Sequence, residues 1–418
     1  MNAIEYRRED HASLHNRQRQ RGVYSEETVC APLPKTREEG SVNMSNAKRL
    51  ICAFLLVGLM AAVAGCGGSG GSQVSQDYKI GLATTTVTQN EDEYRAAEAV
   101  KAKYGDRVVH VTYPDNFMQE QETTIGQIAG LADDPKMKAI IIAQGVPGTA
   151  AAIDRIRQKR KDIIISVVEA HEDPKIISEK ADLVFQANDL ERGRTIIKMA
   201  KQLGAKKFIH YSFPRHMAME LLAKRRDIMK EACAAEGLEF VFVTAPDPMG
   251  PDGIPGAQKF ILENVPLQIQ QHGKDICLFS TNCGMQEPLI KATLAAGGIF
   301  AEQCCPSPTH GYPGALGIDV KGMAGNFPAI LKAINDKIVE KGGAGRFATW
   351  PAPYNFVAIK AAAELSMGAI EGKLKLSDID AVKKALEKEA GVSIQLSRYI
   401  EGRNMYLGIE NSYVFGKK

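Results

Sequence analysis

The chain has 418 residues, of which 44% are hydrophobic, 24% charged and 6% aromatic. Its 52 Lys and Arg against 49 Asp and Glu leave a formal net charge of +3, too even a balance for the concentrated basic face that nucleic-acid binding requires. The length suffices for two lobes of ordinary domain size, and the low aromatic content disfavours a pocket built mainly of stacked rings.

Residues 1–43 are polar and carry no periodic apolar pattern. They read as a mis-called start, with translation beginning at Met44, or as a disordered extension. Lys48 and Arg49 then precede a short apolar run, Leu50–Ala62, and the small residues Val63-Ala64-Gly65-Cys66. A charged start, a short apolar core and small residues before a cleavage point make a secretory signal. The run is short for a membrane span, which needs ~20 residues; an uncleaved signal anchor is the alternative. Val63–Cys66 resembles the bacterial lipobox, which implies cleavage before Cys66 and a lipid on that residue. The Gly/Ser-rich segment 67–77 reads as a flexible tether. The remainder is expected outside the cytoplasm, lipid-anchored to the membrane in the cell envelope.

From Tyr78 short β-branched runs alternate with amphipathic stretches. Strands are expected at 78–86, 108–113, 138–144, 162–169 and 183–187, with helices at 91–104, 119–131 and 149–161 between them. Continuous apolar strands, each followed by a helix, predict a parallel sheet covered on both faces. The basic run Arg155–Lys161 sits late in one helix, where it solvates an exposed face and favours the helix C-terminus. The pattern restarts near Asn188. Helices are expected at 189–203, 216–236, 258–271 and 287–296, and strands at 207–211, 240–244, 276–280 and 299–303. The Pro/Gly-rich segment 306–325 reads as an irregular excursion around a short strand at 316–320. A helix at 327–341, a stiff link at Trp350–Tyr354, helices at 355–372 and 376–388, and edge strands within 406–415 complete the chain. The fold class is therefore α/β, with two doubly wound Rossmann-like lobes whose parallel sheets are joined by a multi-strand hinge. Lobe one is expected at 78–188 plus 352–395, and lobe two at 189–351 plus 396–418.

The passage Asp189–Phe240 is the most specific. Asp189, Gly193, Arg226 and Glu236-Gly237 fill places that resemble the entry into the second lobe of type I periplasmic binding proteins, of the ribose-binding and basic-membrane-lipoprotein kind. Phe279–Asn282 with the helix after it, and Trp350–Gly372, resemble later units of that family. The likeness is closest to a sparsely characterised group of bacterial lipoproteins within the fold. It implies a solute-binding protein serving an ABC importer. Pro306–Gly325 departs from the sugar-binding members.

In open α/β sheets, ligands bind beyond the carboxyl ends of the strands. That rule selects Thr84, Thr85, Thr86, Gln89, Tyr113, Gln144 and Glu169 from lobe one. Ser212, Phe213, Asn282 and Glu302 come from lobe two, and Trp350 and Tyr354 from the crossover. By resemblance, Glu169, Asn282, Glu302 and Trp350 stand where sugar-binding relatives contact ligand. Each also has a structural reading: Trp350 as hinge packing, Glu169 as a hydrogen-bonded support, the threonines as a polar strand end. Gly145–Thr149 reads as a helix cap rather than an anion cradle.

Cys233, Cys277, Cys283, Cys304 and Cys305 follow Cys66 as an odd, irregular set, which is no disulfide framework. Cys233 and Cys277 fall in apolar patterns and read as buried thiols. Cys304 and Cys305 are adjacent, an awkward arrangement for one metal, and no ligand spacing ties them to His171, His210, His216 or His310. No metal and no cofactor is expected. No P-loop, GxSxG elbow or zinc signature occurs, so no enzyme is expected; Cys304 or Cys305 with His310 is the one candidate catalytic set. The expected partners are a small polar ligand, an ABC permease or a membrane receptor, and the membrane through the lipid, with no nucleic acid. A tethered sensor presenting ligand to a receptor is the alternative, and an extracytoplasmic α/β enzyme a third reading.

Overall fold

The computed structural model describes residues 77–323 and 325–417. The start at Met44, the signal segment, Cys66 and nearly all of the 67–77 tether lie outside the described residues.

The first series of strands is β1 (Lys79–Thr84), β2 (Val108–Thr112), β3 (Met137–Ala143), β4 (Ile164–Val168) and β5 (Leu183–Ala187). The second is β6 (Lys207–Ser212), β7 (Glu239–Thr244) and β8 (Ile276–Ser280), followed by β9 (Ala348–Thr349), β10 (Gln395–Arg398), β11 (Met405–Ile409) and β12 (Tyr413–Val414). One sheet has the order β10-β11-β5-β4-β3-β1-β2, and its only antiparallel pair is β10 with β11. A second sheet, β7-β6-β8, is parallel throughout. In both, the strand that opens the series lies between the next two. Strand order reverses there, which opens a crevice at the carboxyl ends.

Alternation along β3 explains its unbroken apolar text. Ala139, Ile141 and Ala143 join a core with the helices Glu91–Tyr104 and Tyr354–Ile370. Ile140 and Ile142 join another with the helices Gln121–Gly130 and Thr149–Lys159. Side chains of period two thus meet apolar helices on both faces. The small residues of Tyr354–Ile370 let that helix lie close on β3 and β4, where Ser366 and Ser166 hydroxyls meet at 3.2 Å. The second sheet repeats the plan. Ile209, Tyr211 and Leu278 face the helices Gly253–His272 and Gln286–Ala296. Phe208, Cys277 and Phe279 face Asp189–Gln202 and Glu220–Glu236, with Cys233 buried among them.

Several expected elements shift. The helix expected at 216–236 is two, Pro214–Met217 and Glu220–Glu236, with Pro214 in the first turn, where its missing N–H costs nothing. The segment 299–303 makes only single bridges, Ile299 to Cys277 and Phe300 to Phe347, before the chain bends at Cys304–Cys305. The strand expected at 316–320 is absent; the helix Tyr312–Leu316 ends there on left-handed Gly317. A helix at Pro174–Lys180, capped by the Asp173 carboxylate, stands where a loop was expected. The division of the tail also changes. The sequence pattern places 396–418 in lobe two, with edge strands within 406–415. Instead β11 is fully buried and pairs in parallel with β5, inside the first sheet, with β10 at its edge. Its sequence, MYLGI, is apolar on both faces, which suits an interior strand. Only β12 pairs with β9, beside the second sheet.

Candidate functional site

Beyond the carboxyl ends of β3, β4 and β8 lies a cavity of about 290 Å³. Its lining includes Gln89, Gln144, Glu169, His171, Asp189, Arg192, Arg215, His216, Arg225, Asn282, Cys283, Cys304 and Cys305, with Phe117, Met219, Leu221 and Met249 as apolar patches. Both sheets contribute.

Two wall positions are strained. Gln144 and Glu169, the residues after β3 and β4, have φ of 57° and 58°. Left-handed backbone costs a non-glycine residue of order 1–3 kcal/mol and persists only where surrounding contacts enforce it. Here the enforcing bonds are visible. Gln144 N–H donates to Val168 O at 2.7 Å, and Glu169 N–H to Phe185 O at 2.8 Å. Gly145 follows at φ 28°, and a Cβ there would stand 2.9 Å from Ala170 Cα. The turn thus requires glycine at that position.

Glu169 accepts from Gln186 Nε2 at 2.7 Å and from Ala187 N–H at 2.8 Å. Burial, with the Asp189 carboxylate beside it, pushes its carboxyl up to about 8. Burial pushes His171 down to about 4, with Arg215 adding to the effect. His216, held at 3.0 Å from Thr281 Oγ1, is likewise pushed well down by burial. Both imidazoles are therefore neutral at pH 7.

A buried charge network adjoins Glu169, since Gln186 Nε2 also reaches Asp189 at 3.4 Å. Arg192 donates to Glu302 at 2.7 Å, to Asp189 at 2.8 Å, and to the carbonyls of Gln303 and Cys304 at 2.7 and 2.9 Å. Arg225 donates from Nη1 to the same Asp189 carboxylate. Its Nε and Nη2 are buried with no hydrogen-bond partner among the described residues. A buried guanidinium with unmet donors is costly, and in a cavity wall it is ready to receive acceptor oxygens from a ligand. Arg215 is less available, since it forms a two-pronged pair with Asp247 at 2.9 and 2.8 Å.

The sulfurs of Cys283, Cys304 and Cys305 lie within 4.8 Å of one another, and Cys304 Sγ stands 3.7 Å from His310 Nε2. Burial alone would raise the Cys304 thiol. The neighbouring thiols and the Arg225 charge outweigh it and hold Cys304 well below the usual thiol range. Adjacency in sequence made Cys304 and Cys305 look awkward for one site, since neighbours in an extended chain point apart. The bend at 304–305 removes that constraint.

Of the residues selected by the strand-end rule, Gln89, Gln144, Glu169 and Asn282 line the cavity. The others serve the walls behind it. Thr84 Oγ1 meets His110 at 2.8 Å, Thr85 donates to Glu93 at 3.1 Å, and Thr86 donates to Asp115. Tyr113 and Tyr354 donate to the carbonyls of Ala143 and Gln186. Ser212 bonds Thr281, and Phe213 packs on His216. Glu302 is spent on Arg192. Trp350 is 1% exposed, packed edge-on to Tyr354 with the Arg192 guanidinium 5.7 Å from its ring centre. Asp189, Arg192 and Arg225 were missed as lining residues, because they sit on helices rather than at strand ends.

A family model described as "Protein of unknown function (DUF3798)" matches residues 78–348, which include every cavity-lining residue. Two proteins of Treponema pallidum (strain Nichols), each described as an uncharacterized protein, are similar in sequence. One is 38% identical over 198 residues, 44% of this chain and 90% of that protein. The other is 36% identical over 172 residues, 41% of this chain and 79% of that protein. Among solved structures, a proposed transcriptional regulator from Clostridium difficile 630 matches with a TM-score of 0.68 and 26% identity, over 81% of this chain and 99% of that one. The substrate-binding protein of a sugar ABC transport system from Bordetella parapertussis 12822 matches with a TM-score of 0.50 and 12% identity, over 82% and 91% of the two chains. With the two sheets and their crevice already described, this likeness identifies the fold as that of the type I periplasmic binding proteins. The chain belongs to the family described as "Protein of unknown function (DUF3798)", built on that fold.

Proposed function

We propose that the chain is an extracytoplasmic solute-binding protein, lipid-anchored through Cys66, that captures a small polar solute between its two sheets and passes it to an ABC importer. The observation that carries this reading is the cavity wall itself: Arg225 presents buried N–H donors, unpaired among the described residues, in the same lining as the strained residues after β3 and β4. A solute with acceptor oxygens would satisfy Arg225. Gln144, Asn282 and the Glu169 carboxyl supply further hydrogen bonds. Binding would favour the closed arrangement in proportion to its differential affinity for that state. The role of the B. parapertussis protein, as described, agrees with this reading. No helix among the described residues is long and apolar enough to cross a membrane.

A second reading, ligand sensing without import, draws on the description of the C. difficile protein as a transcriptional regulator. The anchored chain would then present its solute to a membrane receptor.

The test is a thermal-shift screen of the protein against sugars, nucleosides, amino acids and peptides, after native mass spectrometry has shown it free of passenger molecules. A ligand at 100 times its dissociation constant stabilises by about 2.7 kcal/mol. One class of hits is the expected result; silence across the panel would contradict solute capture. Co-purification of the solute-loaded chain with a permease supports import, and with a receptor supports sensing.

A further inference from the structure

The thiol cluster is not needed for capture of a polar solute, and its geometry suits something else. Cys283 Sγ stands 3.4 Å from Cys305 Sγ and 3.5 Å from Cys304 Sγ. Zn–S bonds of about 2.3 Å in a tetrahedron separate sulfurs by roughly 3.8 Å. A His nitrogen at about 2.0–2.1 Å from the metal lies roughly 3.6 Å from such a sulfur. His310 Nε2 is 3.7 Å from Cys304. The sulfur separations suit one such metal, and the ligand atoms that all lie within 4.8 Å of one another are the three sulfurs, with His310 close to Cys304 alone.

The cluster is also held in place. Arg192 pins the carbonyls of Gln303 and Cys304. The Gln286 side-chain amide ties the other loop, donating to Ser280 Oγ at 2.7 Å and Asn282 O at 2.8 Å, while its oxygen faces Cys304 N–H at 3.4 Å. Asn282 in turn caps the turn that begins at Cys283. Cys283 and Cys305 are partly exposed and all three line the cavity, so an ion can reach them. Cys233 and Cys277 differ, being buried in an apolar core.

We propose that Cys283, Cys304 and Cys305 bind one thiophilic cation of the Zn²⁺ class in the cavity wall, with His310, which stands beside Cys304, moving in to complete the set. A disulfide would use two of the three sulfurs and leave the third pressed against it. A soft cation uses all three as thiolates, and the protons they release pass to solvent.

The test uses the full-length chain, reduced and kept anaerobic, titrated with Co²⁺ and then Zn²⁺. The expected result is one ion per chain, a strong thiolate-to-cobalt charge-transfer band, and displacement of Co²⁺ by Zn²⁺. The triple variant Cys283→Ser, Cys304→Ser, Cys305→Ser is expected to lose the band. Variants at Cys233, and at Cys30, Cys52 and Cys66 outside the described residues, are expected to keep it. His310→Ala is expected to keep uptake but weaken it at least tenfold; unchanged affinity would remove His310 from the set. Alkylation mapped by mass spectrometry on the wild-type chain tests the proposal without any variant: Zn²⁺ should shield these three thiols. No uptake by the reduced chain, uptake unchanged in a folded triple variant, or a Cys283–Cys305 disulfide in thiol-trapped cells would each overturn the proposal.

Discussion

The two walls of the cavity are built on different physics. On the first sheet the wall is backbone: β3 and β4 end in Gln144 and Glu169, each left-handed and each pinned by a ladder hydrogen bond. The adjoining wall is buried charge and sulfur: Arg192 and Arg225 around Asp189, Glu302 beyond them, and the three thiols alongside. The first wall stores strain in the fold. The second stores desolvated charge, with two guanidinium nitrogens of Arg225 left unmet among the described residues. Solute binding relieves the second wall directly, whereas the first holds shape and adds the Gln144 and Glu169 side chains as further polar partners.

The largest expected effect comes from breaking the charged wall. Arg192→Met leaves the Glu302 and Asp189 carboxylates buried with less compensation. Removing one partner of a buried pair costs about 3–5 kcal/mol, to be read as a lowered midpoint in urea unfolding. A loss under about 1 kcal/mol would mean that water, not Arg192, carries those carboxylates.

The next effect separates the walls by pH. Glu169 titrates near 4.5 when unfolded and at about 8 when folded. The folded chain therefore holds more protons between those values. This group's stabilisation is full below about pH 4.5 and is lost as the pH rises towards 8. Glu410, which burial also pushes up to about 8, acts in the same sense. His171, lowered from 6.5 to about 4, acts in the other: its contribution is full above 6.5 and is lost as the pH falls towards 4. Unfolding midpoints followed from pH 4.5 to 8 should flatten in Glu169→Gln without becoming level. An unchanged slope would place the titration elsewhere.

A smaller effect tests the strained wall. Gln144→Gly should stabilise the chain by about 1 kcal/mol, because glycine accepts φ near 57° freely but loses more chain entropy. Solute affinity should fall with the lost amide. Destabilisation in urea would show that the Gln144 side chain, rather than its backbone, maintains the turn. Gln89→Ala should be the mildest. The side chain is half-buried and, among the described residues, reaches only the Asp115 carbonyl at 3.2 Å, so stability should move by no more than about 0.5 kcal/mol. Calorimetry should show any loss in solute affinity instead.

The contrast also explains what the sequence made legible. Strand-end reasoning finds a backbone wall, because parallel strands and their carboxyl ends follow from apolar periodicity alone. Gln144 and Glu169 were reachable that way, as were Gln89 and Asn282. Thr84, Thr85 and Thr86 obeyed the same rule yet turn away, since His110, Glu93 and Asp115 claim their hydroxyls. Those partners arrive from other elements and leave no local mark. Arg225 lies inside a long helix, where an arginine reads as surface; only the helix packing, with the side chain 5.2 Å from the Phe279 ring centre, shows it buried. The thiol cluster was hidden because adjacency in sequence made Cys304 and Cys305 look awkward for one site, and nothing local shows that the chain bends there and brings Cys283 in from another loop. In the tail, β11 was visible as a strand, but its partner was not: register with β5 is a long-range choice that no local pattern encodes.

The central claim is that the cavity captures a small polar solute through Arg225. Isothermal titration of the best solute from the screen, against the wild-type chain and Arg225→Met, tests it most directly. Hydrogen bonds to a charged group contribute about 1.5–3 kcal/mol. The account therefore predicts one solute per chain, with affinity lowered at least tenfold in the variant while far-ultraviolet circular dichroism stays unchanged. Equal affinity in the two folded chains would contradict it and move the binding site out of this cavity.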